Sequence, residues 1–239
     1  MDDRLNLSST LRPGLDLLAN EILIALKKRT RFLQNPEIYA PGLVVGHPDV
    51  PLLDFELART ERFHAELGRY AYTQYDSFSD VGDVPLVIVR PPLKSPAHNH
   101  PTGMGAQIRA HYVRWVKQNC AAGSDSDTWG ESVSADVAAM MNLAERITLG
   151  KTVAESKLQT ERQAYMTTGG DAEALEALLV DKGREAKVIE LSGHLARIYE
   201  FDEEQAAALF QWIIRTTIEV EVRYLQRRIA EEGGRHRTP

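Results

Sequence analysis

The chain has 239 residues, 43% hydrophobic and 26% charged, so it can bury a sizeable core beneath a polar surface. Its formal net charge of −6 argues against a protein that binds nucleic acid or an anionic membrane surface. No apolar run is long enough to span a bilayer, the N-terminus lacks a signal-peptide pattern, and the lone Cys120 allows no internal disulfide. We therefore expect a cytoplasmic protein.

The hydrophobic pattern is helical along almost the whole chain, with apolar residues at three- and four-residue spacing. This pattern predicts a single all-α domain over residues 1–239, a helical bundle with long loops, in which 1–9 and 233–239 are flexible. Residues 165–171 are predicted to form a turn. The predicted helices are 11–33, 52–72, 104–120, 132–160, 172–180, 185–199 and 202–231.

Two proline-rich segments, 35–51 and 77–101, interrupt the helical pattern. The second contains the strand-like run Leu86–Val89, but the prolines on both sides leave it no room to be a central strand. It also contains His98 and His100, a spacing that raises the question of a metal site. No acidic or cysteine partner lies near them in the sequence, so we interpret them as loop histidines and predict no metal.

Residues 143–158, LAERITLGKTVAESKL, carry two cations beside an apolar helical stripe. Arg146 and Lys157 lie eleven residues apart, so they point the same way with their Cα atoms about 16 Å apart. Two cations on a core-facing side are costly unless an anion lies between them, and a small dianion would fit. The alternative is a pair of extended side chains that reach past the apolar surface to place their charges in water.

Three other predicted helices also place polar groups on or beside a core face. Thr217 and Glu221 interrupt the apolar stripe of the last helix, where a buried Glu needs a partner or a raised pKa. The alternative is that Glu221 lies at the wet edge of a broad stripe. Arg12 begins the stripe of the first helix, or is an ordinary solvated arginine, and Glu185 continues the face of another. Polar groups on four separate helices predict a polar pocket inside the bundle.

These segments resemble the fungal and plant type of all-helical (AroQ-class) chorismate mutase. The most specific matches are RITLGKTVAESK, at Arg146–Lys157, and IEVEVRYLQRR, at Ile218–Arg228. LKKRTRFLQNPEIYAPG (26–42) and ARTERFHAELGRY (58–70) add support, and the resemblance covers nearly everything from residue 11 to residue 228.

The resemblance implies an isomerase that rearranges chorismate to prephenate, at the branch toward phenylalanine and tyrosine, without a cofactor or metal. Arg12 and Arg146 would bind the two substrate carboxylates, while Lys157 would bind a carboxylate and the ether oxygen. Thr217 would help to hold a carboxylate, and Glu221 would donate a hydrogen bond to the ether oxygen. The implied site residues are catalytic Arg12, Arg146, Lys157, Glu185, Thr217 and Glu221, with Asp181 binding the substrate's hydroxyl or orienting the pocket.

The chemistry of this reaction suits these residue types. A Claisen rearrangement needs no nucleophile, metal or proton shuttle, but the substrate must be held in a reactive conformer, which two carboxylate contacts would do. Negative charge grows on the ether oxygen as its bond to carbon breaks. Lys157 and a protonated Glu221 would stabilise that charge in a preorganised, dry site.

Regulated members of this family bind tryptophan or tyrosine at a dimer interface, so the resemblance also implies a homodimer. In this chain the candidate effector residues are Arg69, Gly130 and Ser134. Gly68 stands where a second basic residue is usual, and Glu131 stands where a small hydroxyl residue is usual. Because an acidic side chain beside an effector carboxylate is unfavourable, we expect weakened regulation.

Two alternative functions remain open at this point. The chain could be a non-catalytic regulatory or assembly subunit that kept the bundle, although the intact set of charged residues disfavours this. It could also be an isochorismate pyruvate-lyase, which shares a smaller version of this fold. The chain length and the C-terminal motif disfavour the lyase.

Overall fold

The computed structural model of the chain describes residues 3–72 and 75–235. This part of the chain is α-helical and contains no β-strand, which confirms the predicted all-α class. Its nine α-helices are α1 (Arg12–Arg29), α2 (Leu52–Glu66), α3 (Gly105–Asn119), α4 (Trp129–Thr148), α5 (Gly150–Thr160), α6 (Arg162–Thr167), α7 (Ala172–Leu179), α8 (Lys182–Ile198) and α9 (Glu203–Arg235).

The longest helix, α9, lies alongside α4, α5, α7 and α8, while α1 packs against α4 and α8. The two longest predicted helical segments, 132–160 and 202–231, therefore pack side by side. Tyr112, Leu143, Phe210 and Ile213 are fully buried in the main core between α3, α4 and α9. None of the described helices has the length and apolar character needed to cross a membrane.

The predicted single helix over 132–160 is wrong in one respect, because it is divided at Leu149 into α4 and α5. Leu149 keeps right-handed helical angles (φ −59°, ψ −17°), and its carbonyl accepts hydrogen bonds from the amides of both Thr152 and Val153. Gly150 follows directly. A Cβ at Gly150 would lie 3.0 Å from Thr217 Cγ2 and 3.2 Å from the Thr217 carbonyl oxygen. The glycine therefore lets α5 approach α9 closely.

We expect Gly150→Ala to lower the melting temperature, although alanine is favoured over glycine inside helices by about 1 kcal/mol. The added methyl group meets the backbone of α9, which cannot move without shifting Thr217 and its neighbours. Gly14→Ala in α1 is the matched control, because a Cβ there meets nothing within 4 Å. Thermal unfolding of both variants checks this, and a Gly150→Ala protein at least as stable as Gly14→Ala would contradict it.

Several predicted helix boundaries also differ from the structure. Helix α1 ends at Arg29 rather than 33, because the buried Arg29 guanidinium binds the carbonyls of Phe32 and Leu33 and so folds the chain back. Helix α2 ends at Glu66 rather than 72, because Gly68 has left-handed angles (φ 77°). Helix α6 occupies the first part of the predicted turn at 165–171. Helix α8 starts at Lys182 rather than 185, with Asp181 accepting from the Arg184 amide as its N-cap.

The two terminal segments that are predicted to be flexible, 1–9 and 233–239, lie partly within the described residues. Asp3–Leu5 and Leu7–Leu11 form short helical turns, and the buried Leu5 accepts a hydrogen bond from Ser156 Oγ of α5 at 2.5 Å. Helix α9 continues to Arg235. Residues 1–2 and 236–239 lie outside the described part of the chain.

The segment 77–101 is irregular, as predicted, and Leu86–Val89 is exposed and unpaired with any strand in the described residues. The Val87 amide donates to the Glu66 carbonyl, so this run lies beside the end of α2.

Candidate active site

A cavity of about 300 Å³ lies between α1, α4, α5, α8 and α9. Its volume is at the small end of the range for small-molecule sites. All seven pocket residues predicted from the sequence line this one cavity, namely Arg12, Arg146, Lys157, Asp181, Glu185, Thr217 and Glu221.

Arg146 is the most unusual group in the cavity, because it is a buried cation, only 5% exposed. Its Nε has no hydrogen-bond partner among the described residues. Burial lowers the pKa of Arg146 to about 10, and the positive charge of Arg184 acts in the same direction. The alternative of an arginine reaching out to water is therefore wrong. An unpaired buried guanidinium is costly, and an anionic ligand would relieve that cost.

Lys157 and Glu221 form a hydrogen-bonded ion pair across the cavity. Lys157 Nζ lies 3.1 Å from Glu221 Oε2, and it also donates to the Leu179 carbonyl at 3.1 Å. Glu221 is only 5% exposed, so the alternative that it lies at a wet edge is wrong. Burial raises the pKa of the Glu221 carboxyl, although the charges of Lys157 and Arg146 oppose this. The cavity thus holds a carboxyl group that gains a proton more readily than an exposed one.

Thr217 is buried one helical turn before Glu221 on α9. Its hydroxyl donates to the Ile213 carbonyl at 2.8 Å, the contact with the preceding turn that a threonine inside a helix can make. In this arrangement the hydroxyl proton is used within the helix. The Thr217 hydroxyl must break its hydrogen bond with the Ile213 carbonyl before it can donate to a ligand carboxylate.

The rim of the cavity is more open. Arg12 and Asp181 are solvent-accessible, with side chains 41% and 56% exposed, and their closest charged atoms are 3.9 Å apart, so the pair stabilises the fold little. Glu185 is partly buried, and its Oε1 has no hydrogen-bond partner in the described part of the chain. The rim therefore offers a ligand one accessible cation, Arg12, and one acceptor without a hydrogen bond, Glu185 Oε1.

Sequence reasoning missed three polar residues that line the cavity: Glu161, Tyr165 and Arg184. Arg184 forms an ion pair with Asp16 of α1. It lies four residues before Val188, on the predicted core face of α8, and this spacing could have indicated it. Tyr165 is buried, and burial together with the Glu221 charge raises its pKa to about 12. No sequence signal pointed to Tyr165, since it falls in a predicted turn.

The candidate effector residues lie outside this cavity, and Arg69 lies far from the other two, Gly130 and Ser134. Arg69 binds Glu145 at 2.6 Å, and its guanidinium stacks over the Tyr75 ring at 4.5 Å. Ser134 donates to Glu56 at 2.7 Å, and Gly130 is exposed in the first turn of α4. Because Ser134 and Glu145 are eleven residues apart on α4, about 16 Å separates the two locations. The chain by itself does not bring Arg69 together with Gly130 and Ser134.

Comparison with known proteins gives consistent matches across the chain. The family model described as "Chorismate mutase type II" matches residues 131–222. The chorismate mutase of Emericella nidulans is 27% identical over 248 residues, which covers 92% of each chain.

Two solved structures extend the similarity to the fold. The chorismate mutase from Candida albicans in complex with L-Trp superimposes with a TM-score of 0.85 at 25% identity, covering 95% of this chain and 92% of that one. The chloroplast chorismate mutase from Zea mays gives a TM-score of 0.83 at 26% identity, covering 96% and 97% of the two chains.

Proposed function

The chain belongs to the all-helical chorismate mutases of fungi and plants, and from this premise we propose that the cavity lined by Arg146, Lys157 and Glu221 is its active site. The chain is an isomerase that converts chorismate to prephenate, a step toward phenylalanine and tyrosine. The observation that carries the site assignment is Arg146, a buried cation with an unused donor, facing the same cavity as the Lys157–Glu221 pair.

The first task of the site is to hold the substrate in its reactive conformer. Chorismate carries two carboxylates, and we assign one to the buried Arg146 and the other to Arg12 at the rim. Thr217 would assist by reorienting its hydroxyl away from the Ile213 carbonyl. The positive charge of Arg184 adds to the attraction, because this residue also lines the cavity. Holding both ends of the substrate supplies orientation that free chorismate lacks.

The second task is to stabilise the negative charge that develops on the ether oxygen. Lys157 has three N–H donors, of which two already bind Glu221 and the Leu179 carbonyl, so one remains for the ether oxygen. A protonated Glu221 would donate from the other side, and its burial favours that proton. The Lys157 and Glu221 side chains are held in place before the reaction, so they reorganise little as negative charge develops on the ether oxygen.

Glu185 would act at the substrate's hydroxyl group, and Asp181 would orient the pocket around it. Glu185 Oε1 is an unused acceptor at the cavity wall, which suits a hydroxyl donor. Asp181 already accepts from the Arg184 amide and lies near Arg12, so we assign it to fixing the start of α8 and the rim arginine.

Incubating the purified protein with chorismate, and separately with isochorismate, and identifying the products tests the function against its alternatives. We expect prephenate from chorismate. Salicylate and pyruvate from isochorismate would identify a pyruvate-lyase, and no turnover of either compound would identify a non-catalytic subunit.

We also propose that the protein is a cytoplasmic homodimer. The exposed run Leu86–Val89 beside α2, together with Phe63 at 56% exposure, forms an apolar surface that a second copy could cover. A solution mass of one chain, measured by light scattering, would contradict the dimer.

For regulation, we propose an effector site that needs two copies, because within one chain Arg69 binds Glu145 near the C-terminal end of α4, whereas Ser134 lies near the N-terminal end of that helix. The similar enzyme from Candida albicans was solved in complex with L-Trp. In this chain, however, Arg69 is already bound by Glu145 and Tyr75, so an effector carboxylate must compete for it.

We therefore expect tryptophan and tyrosine to change the activity less than they change that of regulated relatives. The measurement is kcat/KM for chorismate with and without each amino acid, for the parent and for Arg69→Ala. Arg62→Ala on α2 is the matched control, since the Arg62 side chain is 61% exposed and pairs only with Glu66 in the described residues. A large activation by tryptophan that Arg69→Ala abolishes and Arg62→Ala retains would contradict weakened regulation.

A further inference from the structure

Three potential metal ligands meet on the surface, away from the cavity. His98 and His100 lie in the irregular segment before α3, and Glu231 lies near the end of α9. His98 Nδ1 is 3.1 Å from Glu231 Oε2, and His100 Nε2 is 3.2 Å from Glu231 Oε1. All three ligand atoms lie within 4.8 Å of one another. The interpretation of these residues as loop histidines without an acidic partner overlooked Glu231, which is 133 positions beyond His98.

The spacing of these atoms is compatible with a metal site, although His98 Nδ1 and Glu231 Oε2 are also within hydrogen-bond distance at 3.1 Å. His100 Nε2 is buried, yet within the described part of the chain no acceptor is aligned with it for a hydrogen bond, even though the Glu231 oxygen is near. In a tetrahedral site with N and O ligands at 2.0–2.1 Å from the ion, neighbouring ligand atoms are about 3.3 Å apart. The two observed separations, each measured to a different oxygen of the Glu231 carboxylate, are close to this value.

The surrounding residues hold the ligands in place. The backbone amide of His98 donates to the Tyr224 hydroxyl at 3.0 Å, and that hydroxyl donates to Glu155 at 2.6 Å. The His100 ring packs edge-on against the Tyr224 ring, with centroids 5.6 Å apart. A cation bound here would therefore meet ligands anchored to α9 rather than two mobile loop side chains.

Two arginines near the cluster, Arg228 and Arg227, already bind other groups. Arg228 lies 3.5 Å from Glu231, but its guanidinium binds Glu155 at 2.9 Å and Glu232 at 3.0 Å. Arg227 donates to the Pro101 carbonyl at 2.6 Å. At the Glu231 carboxylate, a metal ion would therefore replace the His98 hydrogen bond at 3.1 Å and the longer Arg228 contact at 3.5 Å.

We propose that His98, His100 and Glu231 bind one divalent transition-metal ion of the zinc type, with water completing its coordination. Two imidazoles and a carboxylate are the ligand set that suits such an ion. None of the three residues lines the cavity, so the ion would take no part in the rearrangement. It would instead fasten the segment before α3 to the end of α9, and the folded state would gain stability as the ion binds.

The test uses tag-free protein that has been dialysed against EDTA and then titrated with zinc chloride in a non-chelating buffer. We expect isothermal titration calorimetry to give one ion per chain, and the melting temperature to rise with zinc. His98→Ala and Glu231→Gln should each weaken binding at least tenfold. His194→Ala is the matched control, because this exposed histidine on α8 lies outside the cluster, and it should bind zinc as the parent does.

Both variants replace partly exposed side chains, so each is expected to fold, which circular dichroism would verify. Saturable binding of one ion that both variants lose would support the site. No saturable binding by the parent, or unchanged affinity in either His98→Ala or Glu231→Gln, would overturn it.

Discussion

Replacing Arg146 with alanine is expected to lower kcat/KM for chorismate by roughly 10- to 150-fold. A hydrogen bond between a charged donor and a buried anion contributes about 1.5–3 kcal/mol, and each 1.4 kcal/mol is a factor of ten. The fold should not suffer, because Arg146 Nε has no partner among the described residues that the substitution would leave unpaired. Removal of a buried charge without a partner should hold or raise the melting temperature.

Two further variants make this result interpretable. Arg146→Lys keeps the charge but loses the planar pair of donors, so its activity should lie between those of the parent and Arg146→Ala. Arg109→Ala removes an arginine that pairs with Asp54 away from the cavity, and its kinetics should match the parent. Unchanged kinetics in a folded Arg146→Ala protein would refute the proposed carboxylate clamp.

Glu221→Gln is expected to remain active and to keep its activity at higher pH, where the parent declines. Burial raises the pKa of the Glu221 carboxyl, and Lys157 and Arg146 lower it. The substrate's carboxylates would raise it again, although Arg12 and Arg146 offset much of their charge. The protonated form is the hydrogen-bond donor, so activity falls as pH rises through the pKa of Glu221 in the substrate complex. Glutamine keeps a donor at the same place and does not titrate.

The measurement is a kcat profile from acid to mildly alkaline pH for both proteins.

A second expectation concerns the pH dependence of folding stability. Because the folded pKa of Glu221 is raised, this residue favours folding at pH values below its unfolded pKa, and that contribution is lost as pH rises through the folded value. Superimposable activity profiles would mean that Glu221 is not the titrating donor. Lys157 would then stabilise the ether oxygen largely alone.

Local sequence pattern was sufficient to predict the fold class and most of the charged residues that line the cavity. Helical periodicity identified the apolar faces, and the polar residues that broke or flanked them, such as Arg146, Thr217 and Glu221, proved to line one cavity. A charged residue on an apolar face is a strong signal because its burial is costly without a partner. The family resemblance extended that prediction to Asp181, whose position as a helix cap gives no periodic signal.

The features that escaped prediction depend on residues distant in the sequence. The break at Leu149 comes directly before Gly150, whose close approach to Thr217 joins positions 67 residues apart in the chain. The Arg184–Asp16 pair spans 168 positions, and the Arg69–Glu145 pair spans 76. Local periodicity carries no information on which distant side chains meet, so neither the pairing of Arg184 with Asp16 nor the pairing of the candidate effector residue Arg69 with Glu145 could be foreseen from it.

The affinity for a rigid bicyclic ether that holds two carboxylates in the geometry of the transition state is the most direct test of a preorganised cavity. An enzyme that stabilises the transition state binds such an analogue at least about 10²-fold more tightly than its substrate. We predict this ratio for the parent, measured by competitive inhibition, and a loss of most of it in Arg146→Ala. An analogue that binds no more tightly than chorismate, or equally well to the parent and Arg146→Ala, would contradict this mechanism.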